Sequence, residues 1–303
     1  MPAFASIPGV LDALLVHGER ADRARAPDLV VEVPHGATRA ADYRRLEALL
    51  ASPLPADLID FFFVNTDAGA YELAEAVARR FVAAEPARSA AVLRCLVPRT
   101  FIDCNRRLDA SPAEVREGKI TPGLPPWITA EADRALLRAR HDAYAGAVRE
   151  AVEAVAGAGG ALLLLHTYAP RTVDVEVGLD IVEQLHRAWQ PDVAPGWPLR
   201  PALDVIGRGV DGTQHAPEPI VAALREALSA IGVTDVADSA TYPLHPSTLA
   251  WEHATRLPGR ALCLEVRRDL LAEPWEPFAE MAISPAKVDR LAAPLAAAAR
   301  RWW

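Results

Sequence analysis

Short apolar runs alternate with longer segments of helical periodicity along most of the chain. Several of the runs are almost continuously apolar, which is typical of strands that are buried on both faces. The predicted strands cover residues 29–33, 58–64, 91–97, 161–165, 202–206, 233–238 and 261–266. The predicted helices cover residues 69–84, 129–156, 217–231 and 284–303.

This alternation predicts an α/β fold with three layers. A mainly parallel or mixed central sheet would carry helices on both faces. We expect residues 1–303 to form one catalytic domain, because no internal repeat and no long linker interrupts the pattern. Sheets of this kind place their binding sites at the carboxyl ends of the strands. The residues that directly follow each predicted strand are therefore the first candidates for chemistry.

Two histidines and one glutamate stand at the ends of such strands. His35 follows the first strand, His166 follows the fourth, and Glu265 lies in the last among apolar neighbours. A lone histidine in this position is more often structural, and Glu265 could simply pair with Arg267 or Arg268, since a buried carboxylate needs a partner. Taken together, two imidazoles and a carboxylate can make an open zinc site, and a further carboxylate can act as general base.

Polar residues that suit a carboxylate ligand follow the third predicted strand. Arg99 and Arg106 flank Asp103 and Asn105 in this segment. A guanidinium group binds a carboxylate through two parallel hydrogen bonds, which fixes both charge and orientation. A solvated arginine cluster is the ordinary alternative, but the intervening acid favours an arginine that is held in place. The segment predicts a site for a carboxylate-bearing ligand.

Composition removes several classes of partner. The 303 residues carry a net charge of −8 with acids and bases mixed along the chain, so we expect no nucleic acid partner. We expect no membrane span, because no apolar stretch approaches the ~20 residues that a bilayer requires. The first ten residues lack the cationic start of a signal peptide. Three cysteines without a C-x-x-C pair indicate a reducing cytoplasm. The oligomeric state stays open.

The order of the motifs resembles that of the N-formylglutamate amidohydrolase family, which is related in fold to zinc carboxypeptidases and aspartoacylases. The likeness spans roughly residues 30–270. Its motifs are Pro34-His35-Gly36, Arg99-x3-Asp103-x-Asn105-Arg106, His166 after an apolar strand, and Leu264-Glu265-Val266-Arg267. The segment 205–212 also resembles a loop of that family, and Asp67 stands where the family tends to have an acid before a helix.

The resemblance implies a phosphorylase/hydrolase-like fold with one zinc ion per chain, bound by His35 and His166. The related carboxypeptidases begin their site with His-x-x-Glu, but Thr38 occupies the fourth position here. The third ligand must then come from elsewhere, and Asp67 is the candidate. Asp67 could equally be an N-cap for the helix that is predicted to begin near Gly69, a role worth about 1 kcal/mol.

The resemblance also assigns roles around the substrate. Glu265 would be the general base, and Arg99 would polarise the scissile carbonyl or help to bind the carboxylate. Asn105, Arg106 and Arg208 would bind the substrate. These assignments predict a zinc-dependent amidohydrolase that cleaves a small carboxylate-bearing N-acyl amino acid, such as N-formylglutamate, by metal-activated water.

Two other functions remain open from the sequence. The missing His-x-x-Glu allows a non-catalytic protein that binds a carboxylate ligand on the same fold. A metal-free hydrolase with Ser, His and Asp is the other alternative, although no G-x-S-x-G motif is present. The acyl group and the amino acid of the substrate are not determined by the sequence.

Overall fold

Helices cover both faces of a seven-stranded sheet in the computed structural model, which describes residues 4–118 and 121–303. The first three residues of the amino-terminal segment discussed above lie outside the described part. The strands are β1 (Leu11–His17), β2 (Leu29–Val33), β3 (Ser89–Cys95), β4 (Ala161–Tyr168), β5 (Leu203–Val205), β6 (Val236–Asp238) and β7 (Ala261–Arg267). The α-helices within the described residues are α1 (Ala40–Glu47), α2 (Leu58–Asn65), α3 (Ala70–Ala84), α4 (Pro112–Glu117), α5 (Glu131–Gly157), α6 (Ile181–Ala188), α7 (Glu218–Ala230), α8 (Leu249–Arg256) and α9 (Pro285–Ala299).

The sheet is mixed, and its strand order is β1-β3-β2-β4-β7-β5-β6. The four central strands β3, β2, β4 and β7 are parallel to one another. β1 is antiparallel at one edge, and β5 and β6 run against β7 at the other. The carboxyl ends of β2, β4 and β7 therefore share one edge of the sheet, whereas the chain leaves β5 in the opposite direction. The predicted α/β class with a mixed sheet is confirmed.

One predicted strand is wrong, because residues 58–64 lie in helix α2. Phe61, Phe62 and Phe63 are all buried there. A short run that is apolar at every position suits a buried helix as well as a buried strand, so periodicity alone could not separate them. The sequence also missed the edge strand β1 and the short helices α1, α4 and α6, whereas residues 251–253, which look helical in the sequence, lie in α8. The other predicted strands and the four predicted helices are confirmed to within a few residues.

The core consists of two apolar layers, one on each face of the sheet. Helix α5 supplies much of the first layer. Its residues Leu137, Tyr144, Val148, Val152 and Val155 are buried at the three-, four- and seven-residue spacing of one helix face. Helices α3 and α9 pack together on the other face of the sheet. Among the described helices, none combines the length and the apolar character that a membrane span requires.

A carboxyl group is buried inside the first layer. Glu32 lies on the central strand β2 with no exposed surface, and Tyr144 Oη donates a hydrogen bond of 2.9 Å to its Oε1. Its Oε2 lies 3.8 Å from His253 Nε2 and has no hydrogen-bond partner among the described residues. Burial raises the pKa of Glu32 to about 7, although the bond from Tyr144 opposes the shift. Glu32 is therefore protonated in the folded chain at mildly acidic pH.

Glu32→Gln is expected to stabilise the protein increasingly as the pH rises from 4.5 to 7. In that interval the unfolded chain releases the Glu32 proton, near the ordinary pKa of 4.5, while the folded chain retains it. The wild type therefore loses about 3 kcal/mol of unfolding free energy across the interval, and the neutral glutamine loses none of it. Urea unfolding at several pH values measures the difference. The exposed control Glu19→Gln should show a flat difference, and a flat difference for Glu32→Gln would refute the expectation.

Candidate active site

Three buried side chains that can bind a metal converge at the carboxyl ends of β2 and β4. His35 follows β2, His166 lies near the end of β4, and Asp67 lies between α2 and α3. Nδ1 of His166 is 3.0 Å from Oδ2 of Asp67, and Nδ1 of His35 is 3.3 Å from the same oxygen. One ligand atom from each residue lies within 4.8 Å of the others. Within the described residues, this is the one such group of three or more.

The carboxylate of Asp67 faces this cluster and does not cap α3. The N-cap of α3 is Gly69, without a side-chain cap bond. Oδ2 of Asp67 instead accepts a hydrogen bond of 3.3 Å from the backbone N–H of Thr167. Burial by itself would raise the pKa of Asp67, but the imidazoles of His35 and His166 outweigh it and hold that pKa below its usual range. Asp67 is therefore ionised and lies between two imidazoles.

Asp103 orients the ring of His35. Nε2 of His35 donates to Oδ1 of Asp103 at 2.8 Å. Burial would raise the pKa of Asp103, but Arg106, His35 and Arg99 outweigh it and keep that pKa well below the ordinary value. An ionised Asp103 can only accept, so Nε2 of His35 carries a proton. In a neutral imidazole the Nδ1 lone pair is then directed at the cluster, as in the carboxylate–histidine pairs that support metal ligands.

The donor set fits a divalent cation. Two imidazole nitrogens and one carboxylate oxygen are the ligands of many open zinc sites, in which a further position is left for water or substrate. Electron-pair donors that face one another in a buried site require a proton or a cation between them. The cluster borders a cavity of about 230 Å³, since His35 and His166 both line its wall. His35, Asp67 and His166 could therefore hold a metal ion at the floor of this cavity.

Glu265 lies beside the cluster because β7 is the neighbour of β4. It is paired in register with His166 and lines the same cavity. Arg267 pairs with Asp269, and Arg268 donates to backbone carbonyls, so neither arginine neutralises Glu265. Its Oε2 is buried without a hydrogen-bond partner in the described part of the chain. Burial raises the pKa of Glu265 to about 7, more than His166 lowers it, and this value suits a general base at neutral pH.

The arginine cluster lines the same cavity, together with Asn105, and Nη1 of Arg99 lies 3.7 Å from Oδ1 of Asp67. Nη2 of Arg99 donates to Oδ2 of Asp103 at 3.0 Å, and Nε of Arg106 lies 3.7 Å from the same oxygen. Asp103 thus holds both guanidinium groups, as the sequence suggested. Arg106 is 7% exposed. Its Nη1 donates a hydrogen bond of 3.1 Å to the carbonyl of Asn105. Its Nη2 donates to no other described residue and is therefore available to a ligand.

Arg208 is not brought to this site. Its Nη2 donates to Oδ2 of Asp238 at 2.7 Å, its side chain is half exposed, and it is absent from the cavity wall. The backbone after β5 does border the cavity, since Ile206 lines it and the lining residue Leu244 donates to the carbonyl of Arg208 at 2.9 Å, but the guanidinium group of Arg208 is paired with Asp238 outside the wall. The substrate-binding role that the resemblance implied for Arg208 stays a prediction.

The sequence missed several residues that line the cavity. Arg268 is 3% exposed and joins α2 to β4 by donating to Val64 O at 2.6 Å and to Thr167 O at 3.4 Å. Arg200 stacks over the rings of Tyr168 and Tyr242. The lining also contains polar residues such as Asn65, Thr121 and Arg171, and an apolar part that includes Phe61, Val64, Val173, Val175, Val177, Ile181, Leu185 and Trp189. A signal was present, because alternate valines between residues 172 and 177 predict an extended segment with one apolar side.

Comparisons with known proteins bear on the family and the fold of the chain. The model of a family described as N-formylglutamate amidohydrolase matches residues 27–272. An N-formylglutamate amidohydrolase from Ralstonia eutropha JMP134 is similar in structure, with 21% identity, a TM-score of 0.56 and coverage of 95% of this chain and 98% of that one. A gene product from Agrobacterium tumefaciens has 16% identity and a TM-score of 0.58, with coverage of 100% and 96%. These two likenesses show the fold. No functionally curated protein matches the sequence.

Proposed function

The chain belongs to the N-formylglutamate amidohydrolase family, which acts on amide bonds, and we propose that it is a zinc-dependent hydrolase of small N-acyl amino acids. One observation carries the proposal. His35, Asp67 and His166 form a ligand cluster beside Glu265, in a cavity that also contains Arg106. The cavity thus combines a place for a metal, a carboxyl group for proton transfer and a cation for a substrate carboxylate.

We propose that His35, Asp67 and His166 hold the zinc ion. When bound, such an ion activates water and polarises a carbonyl group. Asp103 accepts a hydrogen bond from the Nε2–H of His35, and this tautomer leaves the Nδ1 lone pair of His35 available. The backbone N–H of Thr167 fixes the orientation of the Asp67 carboxylate. Both contacts preorganise the ligands, which lowers the cost of arranging them around an ion.

Proton transfer is assigned to Glu265. Its carboxylate would accept a proton from the attacking water and deliver it to the nitrogen of the departing amine. Burial raises the pKa of Glu265 above its ordinary value, which favours uptake of a proton from water. Arg99 would donate to the oxygen of the scissile carbonyl as negative charge develops there.

Substrate binding is assigned to Asn105 and Arg106. We propose that they hold the α-carboxylate of the amino acid part. Arg106 is almost fully buried, so its charge acts in a medium of low polarity where a pair with a carboxylate is strong. Burial also lowers the pKa of Arg106 below its ordinary value, and a bound carboxylate would compensate for the lost hydration.

The alternative of a non-catalytic protein that binds a carboxylate ligand rests on Thr38, which replaces the glutamate of His-x-x-Glu. The position of Asp67 weakens this alternative, since the aspartate supplies a third donor beside the two imidazoles. We also propose a cytoplasmic location. Cys95, Cys104 and Cys263 are free and buried, which suits a reducing compartment.

Metal removal is expected to abolish hydrolysis of N-formylglutamate. The protein as purified should contain one zinc per chain by elemental analysis. Treatment with a chelator should eliminate formate release, and added zinc should restore it, because the cluster lacks the chemistry of a metal-free nucleophile. His166→Asn should lose the metal, whereas His215→Asn, at a partly buried loop histidine outside the cavity wall, should keep it. Full activity in verified metal-free protein would contradict the scheme.

A further inference from the structure

One side of the cavity is an apolar wall that the chemistry above does not use. The wall is formed by Phe61 and Val64 of α2, the valines of residues 173–177, and Ile181, Leu185 and Trp189 in and after α6, as the cavity lining shows. Pairing between α2 and α6 holds the two helical parts of the wall together. The wall is thus a defined part of the fold, supported from behind by the first apolar layer of the core.

The central part of the wall is an extended segment with two different sides. Val173, Val175 and Val177 are partly buried and line the cavity, whereas the residues between them, Asp174 and Glu176, are exposed. Side chains of an extended segment point alternately to opposite sides. This segment therefore directs its valines into the cavity and its carboxylates to solvent. A ligand in the cavity meets a methyl-covered surface there.

The position of the wall relates it to the acyl side of a substrate. The carboxylate clamp of Asn105 and Arg106 is attached to α8 and the residue before it, since Ala250 N donates to Asn105 Oδ1 and Arg106 forms a bridge with Thr248. The valine segment and the α6 part of the wall instead follow His166 along the chain, whereas the α2 part lies beside Arg99, whose Nη1 donates to Asn65 O at 3.2 Å. A substrate with its carboxylate on Arg106 and its carbonyl between His166 and Glu265 would direct its acyl group toward the valine segment.

We propose that the acyl group of the substrate is a hydrocarbon chain longer than formyl, seated on the apolar wall. The proposal rests on the amidohydrolase function proposed above. A formyl group has no carbon beyond its carbonyl, so it would leave the wall in contact with water. An aliphatic chain would cover the valines of residues 173–177, and each methylene buried there should strengthen binding about fourfold.

Binding and turnover of an acyl series test the proposal. N-formyl-, N-acetyl-, N-butanoyl- and N-hexanoylglutamate are titrated into the zinc-loaded Glu265→Gln variant by calorimetry, and kcat/KM is measured with the zinc-loaded wild type. Affinity should rise with chain length, by up to about 10³-fold between the formyl and hexanoyl compounds if all five added carbons are buried on the wall. The wild-type kcat/KM should rise in the same order, because binding energy on the acyl group also stabilises the transition state.

Variants of the wall separate its role from general effects of chain length. Val175→Thr keeps the shape of the side chain and adds a hydroxyl group, and Val175→Asp adds a charge. Both should lower the ratio of hexanoyl to formyl affinity, the aspartate by more than tenfold. The matched control is Leu179→Thr, at a neighbouring residue that is 66% exposed and outside the wall. It should leave the ratio unchanged.

The outcomes distinguish this proposal from the one on which it rests. Affinity that stays flat or falls with chain length overturns the acyl assignment, and cleavage of N-formylglutamate in that case leaves the amidohydrolase function intact. Affinity that rises with chain length, without cleavage of any compound by zinc-loaded protein, supports the wall as an acyl site and refutes the hydrolase function. An equal effect of Val175→Asp and Leu179→Thr on the ratio also overturns the acyl assignment.

Discussion

Glu265→Gln is expected to lower kcat by about 10²- to 10⁴-fold while the metal remains bound. Glutamine has almost the shape of glutamate but cannot accept a proton from water at neutral pH. The side chain is surrounded by the cavity wall and lies next to His166 on the adjacent strand, so the substitution removes the base without removing a ligand. Stopped assays of amine release give kcat, and elemental analysis gives the metal content.

The matched control for this variant is Glu226→Gln on the exposed side of α7, which should retain wild-type turnover. Loss of the zinc from Glu265→Gln would show that Glu265 is itself a ligand and that the assignment of Asp67 is incorrect. Retention of more than about a tenth of the wild-type kcat would show that another group accepts the proton.

Arg106→Ala is expected to raise KM for N-acyl amino acids by about 10²-fold, with a smaller change in kcat. Truncating one partner of a buried charge pair costs roughly 2–5 kcal/mol, because the other charge is left without compensation. In this site the uncompensated charge would be the substrate carboxylate. Arg106→Lys should have an intermediate effect, since lysine retains the charge but cannot make two parallel hydrogen bonds.

Two controls distinguish substrate binding from a structural role. Arg107→Ala alters the adjacent exposed arginine, which pairs with Asp109, and should leave KM unchanged. An analogue in which the substrate carboxylate is replaced by a neutral amide should be almost insensitive to Arg106→Ala. Thermal unfolding checks that Asp103, still paired with Arg99, tolerates the loss of its second arginine. Equal KM values for Arg106→Ala and wild type would exclude Arg106 from the carboxylate site.

The candidate residues at strand ends could be identified from the sequence alone. His35, His166 and Glu265 each belong to a buried apolar run, where a polar side chain stands out from its neighbours. Because β2, β4 and β7 are adjacent and parallel, residues near their carboxyl ends come together. The hydrophobic pattern therefore identified the three candidates, and the adjacency of their strands brings them together.

Neither the role of Asp67 nor the helical structure of residues 58–64 could be identified without the tertiary structure. An apolar run of this length satisfies the burial needs of a helix and of a strand equally, and packing against α6 and the core selects the helix. The side chain of Asp67 is directed by contacts with His166, which is 99 residues away in sequence. Local pattern could not decide between an N-cap and a ligand position, because the decision depends on which group the carboxylate meets.

The sequence by itself determined the α/β class, most of the buried strands and the polar residues at their ends, because those depend on local periodicity and on the cost of burying polar groups. Only the tertiary structure decided the order and direction of the strands. The tertiary structure also joins Asp67 to the two histidines and sets the valines of residues 173–177 against the site. These relations arise from contacts between distant segments, which no local pattern encodes.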